Sequence, residues 1–121
     1  LNLPLATALN NLGQREEAIR CLELAAEYPK LRAAASLQLG GILESMKRIP
    51  AALSAYRRAA MFRVPPPPAD IKREALMAAA NLSERSNLID SARRYVALLL
   101  EATPEDADLK ARFQRLVNEP L

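Results

Sequence analysis

The sequence predicts an all-α fold of stacked helical hairpins, and three observations support this class. Half of the 121 residues are hydrophobic, but the aromatic residues are only three Tyr and two Phe, so the core must be aliphatic and rich in alanine. Alanine and leucine favour helices, and only three glycines occur. Apolar residues recur at helical spacing, in pairs of segments that repeat along the chain. The length fits one domain.

The central hairpin, residues 33–62, shows this pattern most clearly. Lys47 and Arg48 separate its two helices, and Pro50 fits only the first turn of the second one. The apolar residues on one face are Ala35, Leu39, Ile42 and Met46 in the first helix, and Ile49, Ala52, Leu53, Tyr56 and Ala59 in the second.

Two adjacent glycines, Gly40 and Gly41, lie inside the first helix of this hairpin. Each glycine in a helix interior costs about 1 kcal/mol relative to alanine. The close approach of a neighbouring helix would offset this cost. We expect Ala52, which is also small, to be the residue that faces the glycines.

The preceding unit has the same organisation. A helix over about residues 3–12 is expected to bury one face, which consists of Leu5, Ala8, Leu9 and Leu12. Gly13 ends that helix, and a second helix opens with acidic residues at its favoured amino end. This second helix is expected to bury Ala18, Leu22 and Ala25.

The two units align with a constant offset. Ala18, Leu22 and Ala25 correspond to residues 34 positions later, which are Ala52, Tyr56 and Ala59. A third unit follows a proline-rich insertion, residues 63–69, that cannot be helical. Its Ala92 lies 40 positions after Ala52, which is the same repeat plus the insertion.

The third unit is expected to begin with Asp70 as a helix cap and to be followed by a final helix. Thr103 is the expected N-cap of that helix and Pro104 its first residue. One apolar stripe on this helix would seal the last unit of the stack. The stripe consists of Leu109, Phe113, Leu116 and Val117.

A two-helix unit of 34 residues with small residues at fixed positions resembles the tetratricopeptide repeat. The residues that carry the resemblance are Leu5, Ala6, Ala18, Leu22 and Ala25; Leu39, Gly40, Ala52, Tyr56 and Ala59; and Leu76, Ala80, Ala92, Val96 and Pro104. The aromatic residue that the family has in its first helix is absent, with Ser36 and Leu76 at that position. The resemblance implies an α-α superhelix (solenoid) of three hairpins and a capping helix. The expected units are residues 1–30, 31–64, 70–103 and 104–118, with a proline loop at 65–69.

In this family the first helices line a concave groove that receives a peptide or a helix of a partner protein. The resemblance places ten residues in that groove, which are Leu3, Thr7, Leu37, Gln38, Gly41, Glu44, Met77, Asn81, Glu84 and Arg85. Family members that grip a terminal carboxylate need cationic residues on the inner face. The corresponding positions here are Leu3, Thr7, Gln38, Glu74 and Ala78, which disfavours that specialised function.

Catalysis, cofactors and metal binding are not expected. The chain has no histidine, and its single Cys21 lies mid-helix beside Leu22, as a buried small residue would. Gly40 and Gly41 lie within a helix and do not form a phosphate-binding loop. No segment is apolar enough for a membrane span and no signal peptide opens the chain, so a soluble protein of the cytoplasm or the periplasm is expected. Because no Met begins the chain, we expect a fragment of a longer protein.

Three alternatives remain open at this level. Arg57, Arg58, Arg93 and Arg94 could bind nucleic acid, although the net charge is only +3. The open amino-terminal face could pair with another copy of the chain. The Pro65–Pro68 spacing, with Arg63 nearby, could dock to an aromatic-lined groove of another protein.

Overall fold

The computed structural model describes residues 3–120, which form seven α-helices and no β-strand. The helices are α1 (Leu3–Asn11), α2 (Arg15–Ala25), α3 (Arg32–Ser45), α4 (Ile49–Met61), α5 (Ala69–Arg85), α6 (Ile89–Ala102) and α7 (Ala107–Val117). The predicted all-α class is therefore confirmed.

The helices are packed in chain order. Each one contacts the next, and α3 also contacts α5. Only three residues connect α1 to α2, α3 to α4 and α5 to α6, so these pairs are helical hairpins. Helix α7 packs against α6 and covers the end of the third hairpin.

The three hairpin turns share one backbone conformation. Gly13, Lys47 and Asn87 have positive φ angles of 81°, 62° and 58°. The N–H of the next residue donates to the carbonyl five positions back, at 2.8, 3.0 and 2.7 Å respectively. This is the Schellman motif, which satisfies the last carbonyls of a helix. Because the turns lie 34 and 40 residues apart, the structure repeats with the spacing found in the sequence.

Equivalent positions of the hairpins are also buried in the same way. Ala18, Ala52 and Ala92 are fully buried in the second helices. One turn later, the same helices place a larger buried side chain, which is Leu22, Tyr56 or Val96. The buried small residues of the first helices are Ala6, Gly40 and Ala80.

Gly40, but not Gly41, is explained by an aromatic ring, and this ring rather than Ala52 faces it. A methyl group on Gly40 would lie 2.5 Å from two ring carbons of Tyr56, well inside contact distance. The expectation of a close approach at Gly40 is confirmed, but its partner is Tyr56. A methyl group on Gly41 would reach only the Tyr56 hydroxyl, at 4.0 Å, so packing does not require this second glycine.

The buried face expected for α1 is found only in part, because Leu9 alone of its four residues packs against the core. Leu12 is 74% exposed and Leu5 is 46% exposed, whereas Ala6 is fully buried. Ala6 occupies the same repeat position as Gly40, where a small residue permits close packing within the hairpin. Leu5 and Leu12, which are larger, face outward.

Two helix starts also differ from expectation. Pro68, not Asp70, is the N-cap of α5, and Asp70 lies in the first turn. Asp106, not Thr103, is the N-cap of α7, because its carboxylate accepts a hydrogen bond from the N–H of Leu109 at 3.0 Å. Thr103 ends α6 instead, and its hydroxyl donates to the Leu99 carbonyl at 3.1 Å.

The apolar stripe of α7 is only partly buried. Leu109 and Leu116 are buried and Phe113 is half-buried, but Val117 in the last turn is 45% exposed. The connection between α4 and α5 is non-helical, as the prolines predict, except that Ala69 already belongs to α5.

Candidate binding groove

One side of the molecule is formed by α1, α3 and α5, the first helices of the three hairpins. A first cavity of about 610 Å³ opens between them. Leu3 and Thr7 of α1 lie opposite Leu37 and Gln38 of α3, and α5 completes the wall with residues that include Glu74. These three helices therefore share one concave site, which we call the groove.

The polar contacts in the first cavity are uncharged. Gln38 Nε2 donates to Thr7 Oγ1 at 2.6 Å, and the Thr7 hydroxyl lies 3.2 Å from the Leu3 carbonyl, to which it donates. The Oδ1 atom of Asn10 is buried and accepts no hydrogen bond from residues 3–120. An unpaired buried acceptor is costly, but this atom is inaccessible to solvent, so a ligand reaches it only if the Asn10 side chain turns.

A second cavity, of about 640 Å³, lies further along the groove and contains charged groups. The Tyr56 hydroxyl donates to Glu44 Oε1 at 2.7 Å, and Arg85 of α5 donates to the other oxygen of Glu44. Burial, followed by the hydrogen bond to Glu44, raises the pKa of Tyr56 far above its ordinary value. Glu44 and Arg85 therefore join α3 to α5.

A third, smaller cavity of about 370 Å³ lies between α5 and α7. Arg112 Nε donates to Glu84 Oε1 at 3.1 Å, and Arg115 Nη2 lies 2.9 Å from Glu84 Oε2. Two arginines of α7 thus form ion pairs with the carboxylate of Glu84. This arrangement fastens the last helix to the third hairpin.

The structure brings most of the ten predicted groove residues onto this side, but not into one site. The first cavity is lined by Leu3, Thr7, Leu37, Gln38 and Gly41; the second by Gly41, Glu44 and Arg85; and the third by Asn81, Glu84 and Arg85. Met77 lines none of these three cavities.

Sequence reasoning missed several residues that the geometry makes important. Asn10 and Ser45 line the first cavity, and Tyr56 reaches it from the second helix of its hairpin. A signal for Asn10 was present, because it lies 34 positions before Glu44. Arg112 and Arg115 carried no comparable signal, because α7 falls outside the repeat.

The arginines considered for nucleic-acid binding do not form one surface. Arg93 donates to the carbonyls of Leu116 and Glu119, both at 2.7 Å, and so caps the carboxyl end of α7. Arg94 pairs with Asp90 one turn away. Of the four, only Arg94 has an ion pair within residues 3–120, and Arg57 and Arg58 have neither an ion pair nor a hydrogen bond from the side chain there.

Residues 3–120 contain neither a candidate metal site nor a candidate membrane span. No group of three or more His, Cys, Asp or Glu side chains there could hold a metal ion. None of the helices described combines the length and the apolar character that crossing a bilayer requires. Comparisons of the chain with protein-family models, with curated proteins and with solved structures gave no significant match.

Proposed function

We propose that the chain is a non-catalytic interaction scaffold that binds a peptide segment of another protein in the groove. The observation that carries the proposal is the first cavity, where apolar and amide side chains from three separate helices converge. The repeated turns and buried small residues support a tetratricopeptide-like superhelix as its architecture. In such a stack, the first helices of successive hairpins present one continuous concave surface.

The chemistry of the first cavity favours a ligand that is partly apolar and donates hydrogen bonds. Leu3 and Leu37 supply apolar contact, and the amide oxygen of Gln38 and the carboxylate of Glu74 are acceptors. Glu74 lines the same cavity, and no Lys or Arg does. An acidic ligand would therefore be repelled, whereas the N–H groups of an extended peptide would find acceptors.

The test begins with a random peptide library displayed on phage and panned against the purified chain. Panning is carried out on the variant Arg57→Gln/Arg58→Gln/Arg63→Gln as well, and the peptides that both proteins select are expected to be apolar and poor in Asp and Glu. Leu37→Glu should weaken their binding by about tenfold or more, because it places an unpaired carboxylate against an apolar ligand.

Met77→Glu is the matched control, because Met77 lies on α5 but lines none of the three groove cavities. It should leave binding of the selected peptides nearly unchanged. Circular dichroism of the two variants serves to check that both are folded. Equal losses in both variants, or acidic sequences among the peptides whose binding Leu37→Glu weakens, would contradict the proposal.

Self-association is a second candidate function, and the exposure of two leucines favours it. Leu12 at the end of α1 is 74% exposed, and Leu24 of α2 is 51% exposed. Sedimentation equilibrium at several concentrations tests this. A dimer that Leu12→Glu with Leu24→Glu converts to a monomer would support self-association, and a monomer at all concentrations would exclude it.

A further inference from the structure

A separate concave surface lies at the carboxyl end of α4, away from the groove. It encloses about 420 Å³ and is lined by Ser54, Arg57, Arg58, Met61, Phe62 and Arg63. We call it the arginine pocket. None of its lining residues lines any of the three groove cavities.

The charge of the arginine pocket is not neutralised by any carboxylate of the described residues. Arg57, Arg58 and Arg63 line it together, and none of them has a carboxylate partner among residues 3–120. The sequence explains this, because the segment from Ser45 to Ala69 contains five Lys or Arg and no Asp or Glu. None of the seven ion pairs among the described residues involves α4 or the linker after it, so this concentration of unpaired cations is a local property of that segment.

The pocket also has an apolar surface that is accessible to a ligand. Met61 is 47% exposed and Phe62 is 37% exposed, although both are large hydrophobic residues. The Phe62 ring is held in place by Arg32 of α3, whose guanidinium carbon lies 4.2 Å from the ring centroid. Arg32 is itself fixed, because its Nε donates to the Ala26 carbonyl at 3.1 Å. The aromatic wall is therefore preorganised.

The apolar surface extends beyond the pocket along α4. Arg57 also borders a cleft of about 480 Å³ between α4 and α6, where Leu53, Leu88 and Tyr95 are among the lining residues. Leu88 in that cleft is 41% exposed. A ligand that passes from the pocket into the cleft would meet cations first and apolar side chains next.

We propose that the arginine pocket and the adjoining cleft bind an acidic segment of a partner protein in which Asp or Glu alternate with large apolar residues. The three unpaired guanidinium groups would pair with the carboxylates, and Met61, Phe62 and Leu88 would contact the apolar side chains. A nucleic acid fits less well, because Phe62 is the only aromatic residue of the pocket and Arg32 already covers it. This site would act independently of the groove.

The experiment measures fluorescence anisotropy of the purified chain with a labelled synthetic peptide in which Glu and Asp alternate with Leu and Phe. Three competitors are compared with it. One has Gln and Asn in place of the acids, one has Ser in place of the apolar residues, and one is an oligothymidylate of equal charge. The acidic apolar peptide should bind best, and its affinity should fall as salt is added.

The variant Arg57→Gln/Arg58→Gln/Arg63→Gln should weaken this binding by about tenfold or more. Arg15→Gln/Arg20→Gln/Lys30→Gln removes the same number of charges outside the pocket and should leave the affinity nearly unchanged. Arg63 lies outside the helices, so Arg63→Gln alone tests the pocket without altering α4. It should still weaken binding measurably.

Each of the remaining outcomes overturns the proposal. Equal binding of the amide peptide would mean that the arginines do not select the ligand. Equal competition by the Ser peptide or by the oligothymidylate would mean that the surface attracts any polyanion. Equal affinities of the two triple variants, or no binding at all, would show that the pocket is not a docking site.

Discussion

The two ends of the groove use one repeat position in opposite ways. Glu44 of α3 is bound by Arg85 of the following hairpin, and Glu84 of α5 is bound by two arginines of α7. The equivalent residue of α1 is Asn10, 34 positions before Glu44, and the residue equivalent to Arg85 is Ser45. Along the groove, the later contacts are thus closed by ion pairs, whereas the contact of α1 with α3 is uncharged. The ion pair that joins the first two hairpins, Arg48 with Glu16, lies at the starts of α4 and α2 instead.

This difference explains why the first cavity is the better candidate for ligand binding. The carboxylate of Glu84 is 27% exposed and the side chain of Arg112 is 18% exposed, so both are committed to joining α5 to α7. At the first interface, Asn10 Oδ1 has no protein partner within the described residues. We therefore expect a ligand to bind where the ion pair between the first helices is missing.

The largest expected effect concerns Tyr56, which lines both the first and the second cavity of the groove. Gly40→Ala should lower the free energy of unfolding by about 1–3 kcal/mol, because the new methyl group overlaps the Tyr56 ring. Gly41→Ala, in the neighbouring position, should be neutral or stabilise the protein by up to about 1 kcal/mol. Urea denaturation followed by circular dichroism measures both.

A double variant separates steric overlap from other causes. Ala6 and Leu22 occupy the positions of Gly40 and Tyr56 in the first hairpin, which shows that alanine is compatible with an aliphatic partner there. Adding Tyr56→Leu to Gly40→Ala should therefore recover part of the lost stability. If the two losses simply add, the ring is not the cause.

The second prediction concerns the ion pairs between α5 and α7, at the charged end of the groove. Glu84→Gln should lower the free energy of unfolding by about 1–2 kcal/mol, because Arg112 and Arg115 lose their shared carboxylate. Glu105→Gln is the control, since Glu105 is 93% exposed in its pair with Lys110. It should change stability very little. Similar losses in the two variants would show that the Glu84 cluster does not fasten α7.

The third prediction is a loss of stability at high pH. Tyr56 is 4% exposed and its pKa is raised, so the folded state retains the proton when the unfolded state loses it above about pH 10.0. The contribution of Tyr56 to stability is therefore fully present below pH 10, and the free energy of unfolding should fall by about 1 kcal/mol per pH unit above it. Thermal melts of the wild type and Tyr56→Phe between pH 8 and about pH 11 measure this.

The substitution should make the decline shallower without removing it. The pKa of Tyr95 is also raised by burial, and Tyr95 is present in both proteins. The difference between the two melting profiles therefore isolates Tyr56. Identical slopes would mean that the hydrogen bond to Glu44 and the burial of Tyr56 do not favour its protonated form.

Much of the fold could be predicted from the sequence because its signals are local. Helical spacing predicted the hairpins, and the 34-residue register placed their turns at equivalent positions, as the positive φ angles of Gly13 and Lys47 show. The helix starts near Asp70 and Thr103 were wrong, because several adjacent residues can cap a helix. Geometry selected Asp106 in the second case.

The groove was less predictable, because its character depends on pairings between distant residues. Gly40 meets Tyr56, and Glu84 meets Arg112, only when the packing of neighbouring helices is known. The sequence could place Leu37 on the inner face, but Met77, at a similar position on α5, lines none of the three cavities. The binding role of the ten groove residues remains a prediction.

The smallest expected effect on stability belongs to a double variant that would convert the neutral end of the groove into a copy of the charged end. Asn10→Glu with Ser45→Arg recreates, at the first interface, the pairing of Glu44 with Arg85. Because the new pair is partly exposed, its coupling energy in a double-mutant cycle should be only about 0.5 kcal/mol. Peptides selected on the wild-type groove should nevertheless lose affinity strongly, since the pair would close the cavity. Unchanged affinity alongside a measurable coupling energy would show that the missing ion pair does not keep this end of the groove open to ligands.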